Sequence, residues 1–362
     1  TKSDVLARHF EEGGDIKRAC SYYVQAAEQA SDSLAFDRAA TLFQKAIDLW
    51  PTQDLREDPK LRKLTLSMAG AIEYSGRGLK AGHTYLKAVP GAPTPQALDL
   101  QRHAGAVLMG SGHFDEGLRV LENVLSMLRV SIPQSGWRML VSLFWRRFLL
   151  RLRGLRFVEK DESQVSEEIL ARVDIFQSIT HGMAMADLIR SSEMGTRWLH
   201  LALNVGEPRR ILSALCLEFN FVAASSNGVS SYQKRILETI NQLLKKLKQP
   251  VFRGYVESAL GYREYMKGSF RESVTHSEEA TRIFIESHAH HWERSATRFT
   301  TIWSLFYLGE IKKLDTMARQ VYQEAIGRND LLGASGALLG LGNIVFLNKE
   351  GPEWARESME AF

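Results

Sequence analysis

The sequence predicts an all-α protein, a right-handed superhelical solenoid of antiparallel helix pairs. Three observations predict it. Apolar residues recur at steps of three and four, and no stretch alternates convincingly with period two. The composition is that of a folded chain, with 44% hydrophobic residues and only 9 prolines in 362 residues, which suits helices. A spacing of small residue, breaker and small residue also recurs, as Ala7, Gly14, Ala19, then Ala69, Gly76, Ala81, then Gly105, Gly112, Gly117, then Gly261, Gly268, Ser273. That spacing describes a helix, a tight turn and a second helix, with small side chains where the two backbones approach.

The elements follow in order. Ser3 is placed to cap the first helix, and Asp15, after Gly13-Gly14, to cap the second, which runs past Ala30. Phe36 to Leu49 reads as the third helix and Trp50 to Pro59 as a loop. Leu61 to Tyr74 pairs with Leu79 to Val89, the prolines of Pro90 to Pro95 break the chain, and Leu98 to Met109 pairs with Phe114 to Leu128. The cadence then changes. Ser131 to Ser135 is a loop, Trp137 to Arg153 an apolar and arginine-rich helix, and Gly154 to Gln164 a polar hinge. Longer helices follow at Val165 to Thr180, Leu188 to Asn204, Arg209 to Ala224 and Tyr232 to Leu247. Val256 to Lys267 pairs with Phe270 to Ser287, and Trp292 to Leu308 with Ile311 to Gly327; Leu331 to Asn348 ends before Gly351-Pro352. The expected organisation is repeats over 1–130, a basic aromatic helix and hinge over 131–164, and further hairpins over 165–362, truncated at the C-terminus. Thr1 in place of methionine, and an end within the helical run Trp354 to Phe362, suggest a piece of a longer protein.

Within the repeats, Ala39-x3-Phe43-x2-Ala46 followed by Pro51, and Ala81-x3-Tyr85-x2-Ala88, resemble the second helix of a tetratricopeptide-type repeat. In that register Tyr23, Phe43 and Tyr85 fill the gaps between neighbouring pairs.

Charge and composition narrow the function. A net charge of +4, from 46 basic and 42 acidic residues, argues against a dedicated nucleic-acid binder. Cys20 and Cys216 lie on apolar helix faces and read as reduced core residues of a cytoplasmic protein. No apolar core of a signal peptide is present in Thr1 to Glu12, and no apolar run reaches the length of a membrane span.

No cofactor and no catalytic residue is expected. The glycine-rich run Gly333 to Asn343 lacks the lysine and the preceding strand of a phosphate loop, and reads as close helix packing. Kinase triplets and a Gly-x-Ser-x-Gly elbow are missing. Of the cluster His288, His290 and His291 with Glu286 and Glu293, only His288 and His291 have helical ligand spacing, so a polar turn is the better reading and no metal site is assigned.

Trp137 to Arg153 holds Arg138, Arg146, Arg147, Arg151 and Arg153 among Trp137, Phe144, Trp145 and Phe148. One reading is a contact helix for an acidic partner. Another buries the helix on both sides, its arginines paired with acids such as Glu159, Asp161 and Glu162. Because the arginines fall on two stripes, no broad apolar face is expected, which argues against a membrane.

The opening Leu6-Ala7-Arg8-His9-Phe10-Glu11-Glu12-Gly13-Gly14-Asp15, with Ala26 to Ala30 and Leu34 to Phe36, resembles the helical region after the ATPase module of bacterial signal-transduction ATPases. Trp145 to Phe157 with Asp161 to Val165 looks most like the group fused to serine/threonine protein kinases. The resemblance implies a non-catalytic scaffold that takes a protein or peptide, including other domains of the parent chain, and governs the upstream ATPase and kinase. The alternative, which resemblance to helical inducer-binding regulators allows, is a small-ligand sensor whose superhelix closes on a metabolite. A deep pocket lined by aromatics and a few charges would favour the ligand; a long open groove would favour the peptide.

For the groove, the first-helix register offers Arg8 and Glu12, Glu73 and Tyr74, Arg102 and Met109, and Tyr262, Tyr265 and Met266 as exposed positions. The last set, two tyrosines and a methionine at helical spacing, suits an amphipathic contact.

Overall fold

The computed structural model describes residues 2–128, 130, 136–184, 187–225, 230–287, 291–328, 330–338 and 340–360. These residues form eighteen α-helices and one short 3-10 turn, and no strand occurs among them. The protein is all-α. The chain divides into two compact units, Thr1–Val124 with Arg328–Asp330, and Leu125–Gly327 with Leu331–Phe362.

In the first unit, α1 (Lys2–Glu12), α2 (Ile16–Asp32), α3 (Phe36–Asp48), α4 (Pro59–Tyr74), α5 (Gly78–Lys87) and α6 (Thr94–Gly110) each pack on the next, and α7 (Phe114–Met127) follows. The recurrent spacing sets the geometry. Gly14, Gly76 and Gly112 have φ of +78°, +83° and +91°, the left-handed conformation that a tight helix-to-helix turn demands and glycine adopts without strain. Ala7, Ala19, Ala69 and Ala81 are fully buried where the helices meet. A side chain on Gly117 would put its Cβ 2.7 Å from the Gly105 carbonyl oxygen, so this pair closes only with glycine. Tyr23, Phe43 and Tyr85 are core residues as expected.

Asp15 accepts from the Arg18 amide at 3.1 Å and caps α2 as its position predicts. Ser3 does not cap α1. That helix already includes it, and its buried hydroxyl lies against α2, 3.3 Å from Gln25 Oε1. Met109, expected at an exposed groove position, is 0% exposed. Its side chain lies over Gly117, where a missing Cβ leaves the space that a long flexible side chain fills.

In the second unit the elements are α8 (Gly136–Arg153), a 3-10 turn (Glu162–Gln164), α9 (Glu167–Met183), α10 (Leu188–Val205), α11 (Pro208–Ser225) and α12 (Ser231–Lys246). They continue with α13 (Pro250–Met266), α14 (Phe270–Glu286), α15 (His291–Leu308), α16 (Ile311–Arg328), α17 (Leu331–Leu338) and α18 (Asn343–Glu360). The segment expected to stand apart at 131–164 belongs to this unit over its described residues, with α8 packed on α10. The fourth copy of the spacing lies here. Gly268 has φ +81°, and Ser273 Oγ donates to the Gly261 carbonyl at 2.8 Å across the α13–α14 seam. The expected final helix is two: α17 ends at Leu338, and α18 runs past Asn348, broken at Gly351 with φ +86°. Gly336 faces the Phe299 ring at a distance that leaves no room for a Cβ, in keeping with glycines that serve close packing.

Candidate functional site

Of the groove candidates in the first unit, Arg8, Glu12 and Tyr74 are exposed, and Glu73 and Arg102 are partly buried. Glu73 accepts from the Tyr85 hydroxyl at 2.9 Å and meets His103 Nε2 at 2.7 Å. Tyr74 stacks on Phe36 at 5.1 Å, Arg102 pairs with Asp99 at 2.7 Å, and Arg8 reaches Asp4 at 3.5 Å.

The second unit closes the face that carries Tyr262, Tyr265 and Met266. Tyr265 sits among Phe270, Trp303 and Tyr307, with ring centroids 5.9, 5.7 and 6.1 Å away. The reason is that α14 and α15 both pack against α13, so this face is a helix–helix seam and not an open groove. Met266 remains exposed at the end of the helix. Tyr262 turns into a cavity.

That cavity, of about 830 Å³, is walled by α8, α9, α10, α11, α13, α14 and α15. Its floor is buried: Cys216, Ala259, Phe284, Glu293, Phe299 and Thr300. Its mouth is marked by lining residues that also face solvent, Phe144, Arg151, Leu188, Ala224 and Ser225. Between them stand Phe221, Tyr255, Tyr262 and Trp303. The lining is aromatic with a few charges.

The polar groups of the floor are sparse and defined. The Tyr255 hydroxyl donates to Glu293 Oε1 at 2.9 Å, and Oε2 of the same buried carboxyl has no hydrogen-bond partner among the described residues. Asn220 Oδ1, on the α11 wall, is likewise without one. Burial holds the His181 imidazole below its usual pKa, opposed by Glu293, so the ring is neutral near pH 7. Burial pushes the Cys216 thiol up to about 12, and burial with the neighbouring Glu293 raises the Tyr255 hydroxyl well above its usual value. Neither is a nucleophile at neutral pH.

Helix α8 closes one side of the cavity. Arg146 and Arg147 pair with acids of the chain, as one reading of the sequence had it, but with acids other than Glu159, Asp161 and Glu162. Arg146 Nε lies 3.2 Å from Glu193 Oε1, which also accepts from Ser142 Oγ at 2.6 Å and from Arg197 at 2.8 Å. Arg147 lies 3.3 Å from Glu218 and stacks over Phe221 at 5.7 Å. Arg151 lies over the Tyr232 ring at 4.0 Å, and Arg153 donates to Asn204 Oδ1 at 2.9 Å. Arg138, at the outer end, lies over Trp137 at 5.5 Å. Glu193 and Glu218 are fully buried carboxyls on α10 and α11, and an unpaired buried charge is costly, so these acids draw the guanidinium groups inward.

The inward arginines leave the apolar side of α8 outward. Trp137, Val141, Phe144, Trp145, Phe148 and Leu152 are all exposed, Phe144 and Leu152 by 69%. The expectation that α8 has no broad apolar face is therefore wrong. Seen down the axis, these residues fall within about 100° of arc, a continuous apolar stripe.

His288 and His290 of the histidine cluster lie outside the described residues, as does the side chain of His291. Among the described residues no group of three or more His, Cys, Asp or Glu side chains could hold a metal ion, and no helix is long and apolar enough to cross a membrane.

No family model matches the chain, and the curated proteins contain no match to it.

Proposed function

We propose that the chain is a non-catalytic regulatory module whose second unit senses a small organic molecule. The observation that carries this reading is the cavity of about 830 Å³, apolar over most of its wall and lined by seven Phe, Tyr and Trp side chains, with a buried carboxyl on its floor and Arg151 at its mouth. Its volume falls in the range of small-molecule sites, and sites of that kind combine apolar walls with a few placed polar groups. The resemblance to the helical region of kinase-fused signalling ATPases supports an attached ATPase and kinase as the output. The test is thermal denaturation of the protein across a panel of small metabolites, beside an Ala296→Phe variant that fills the cavity. A ligand present at a hundred times its dissociation constant should stabilise the wild type by about 2.7 kcal/mol and leave the variant unmoved. A variant that responds as the wild type does would overturn the reading.

A scaffold reading rests on a separate observation, the exposed aromatic side of α8. Trp145, Phe148 and Leu152 form a contact surface for a protein or peptide, including another domain of the parent chain. Large aromatics of this kind carry much of the energy at protein interfaces. A Trp145→Ser, Phe148→Ser variant, which leaves the inward arginines untouched, should lose retention of the upstream domains in a pull-down. Retention equal to that of the wild type would remove this surface from consideration.

A further inference from the structure

We infer that the cavity selects an organic ammonium compound with an apolar body, bound with its cationic end at Glu293. This rests on the small-molecule reading above and names the chemical class. Glu293 lines the cavity, is nine-tenths buried and keeps one oxygen without a hydrogen-bond partner among the described residues, while its other oxygen is held by Tyr255 at 2.9 Å. The hydroxyl orients the carboxyl group and leaves its remaining acceptor capacity for an occupant.

The wall of the cavity agrees with a cation. Tyr255, which holds Glu293, meets Phe284 edge-on at 5.6 Å, and further along α15 Phe299 stacks with Trp303 at 6.4 Å. On α15, Glu293, Phe299 and Trp303 all line the cavity, so acid and aromatic faces share one wall. Aromatic faces attract ammonium groups, most strongly where water is excluded. Asn220 Oδ1, on the α11 wall, is a second acceptor without a partner among the described residues, and an occupant that brings N–H groups would suit both.

The opposite end has the opposite sign. Arg151 stands at the mouth, while Arg147, beside it, is already paired with Glu218 at 3.3 Å. A second cationic group there would be repelled, so the outer end of the ligand is neutral or anionic. The polarity of the cavity thus sets the direction of entry, with the ammonium leading.

The experiment compares phenylbutylamine, phenylbutanol and phenylvalerate, which share a body and differ in the head group, by calorimetric titration into the intact protein. The amine should bind on the order of ten-fold more tightly than the alcohol, and the carboxylate more weakly than both. Glu293→Gln should bring the amine down to the alcohol and leave the alcohol unchanged. The wild-type comparison decides the matter by itself, even where a Glu293 variant fails to fold. Equal binding of amine and alcohol, or a preference for the carboxylate, overturns the ammonium assignment while the cavity still takes ligands. Binding of none of the three overturns both readings, and so does equal binding by wild type and Ala296→Phe.

Discussion

The Tyr85 hydroxyl donates to Glu73 Oε2 at 2.9 Å, and in the first helix pair the Tyr23 hydroxyl donates to Glu11 Oε2 at 2.5 Å. Each glutamate lies four residues after the first small residue of its repeat, and each tyrosine four after the second. The small residues bring the two backbones together, and the polar pair ties the helix ends just beyond that contact. In both pairs burial and the neighbouring carboxylate push the tyrosine pKa up, that of Tyr23 to about 12.

Removal of the Tyr85 hydroxyl tests the strength of this tie. Tyr85→Phe keeps the ring and should cost about 1 kcal/mol, the net worth of one hydrogen bond. Combined with Glu73→Gln in a double-mutant cycle, the losses should be less than additive. Full additivity in chemical denaturation would show that the pair contributes nothing.

Phe43 should matter more. It is buried between Ala39 and Ala46 in the core of the first unit. Phe43→Ala should cost about 3–5 kcal/mol, since the cavity adds to the lost apolar burial. Unchanged thermal stability would mean that this residue does not fill the space assigned to it.

Glu193 anchors α8. Glu193→Ala leaves Arg146 and Arg197 without their shared acceptor and should cost about 3–5 kcal/mol. Glu193→Met, with Arg197→Met, should recover much of that loss, because Arg197 is the more buried of the two guanidinium groups and a well-packed apolar pair replaces a buried ion pair at little cost. If the double variant is no more stable than the single one, the penalty does not arise from stranded charge.

Stability should also fall on mild acidification. Burial lowers the folded-state pKa of His113, His181 and His200 below the unfolded value. A group depressed in this way is protonated first in the unfolded chain, so its stabilising effect is complete above about pH 6.5 and is lost as the pH drops below it. Glu218, raised by burial, acts in the other direction: its carboxylate costs stability as the pH rises above its unfolded value. The difference between wild type and His181→Gln isolates the imidazole. Melting temperatures of the two should converge as the pH falls from about 7.5 to 5.5; a constant difference would show that His181 does not titrate on unfolding.

The helix pairs were legible because their determinants are local. Gly14, Gly76, Gly112 and Gly268 announce their positive φ through their distance from the small residues on either side. The tyrosine–glutamate pairs follow the same count, and were detectable from it. Helix α8 was not legible, because what turns it lies far away in sequence. Ser142 and Glu193 are 51 positions apart, and Arg147 and Glu218 are 71. Ordinary amphipathic reasoning points arginines to water, and two buried acids on other helices reverse it here. The cavity was hidden for a related reason. Its wall is assembled from seven helices, and the spacing within any one of them shows only an apolar face. Glu293 stood in the sequence as part of a histidine cluster, with nothing to mark its Tyr255 partner on α13.

The void between α8 and α15 also sets where the second unit can yield. Atoms that border empty space lack dispersion partners on one side, so the helix faces around the cavity are held by fewer contacts than a closed seam provides. The α13–α14 seam is the reverse, with Ser273 bonded to the Gly261 carbonyl and no slack between the backbones. One part of the unit is therefore stiff and the adjoining part compliant. An occupant would act as a rivet through the compliant part, and a push on α8 would then be felt at α15.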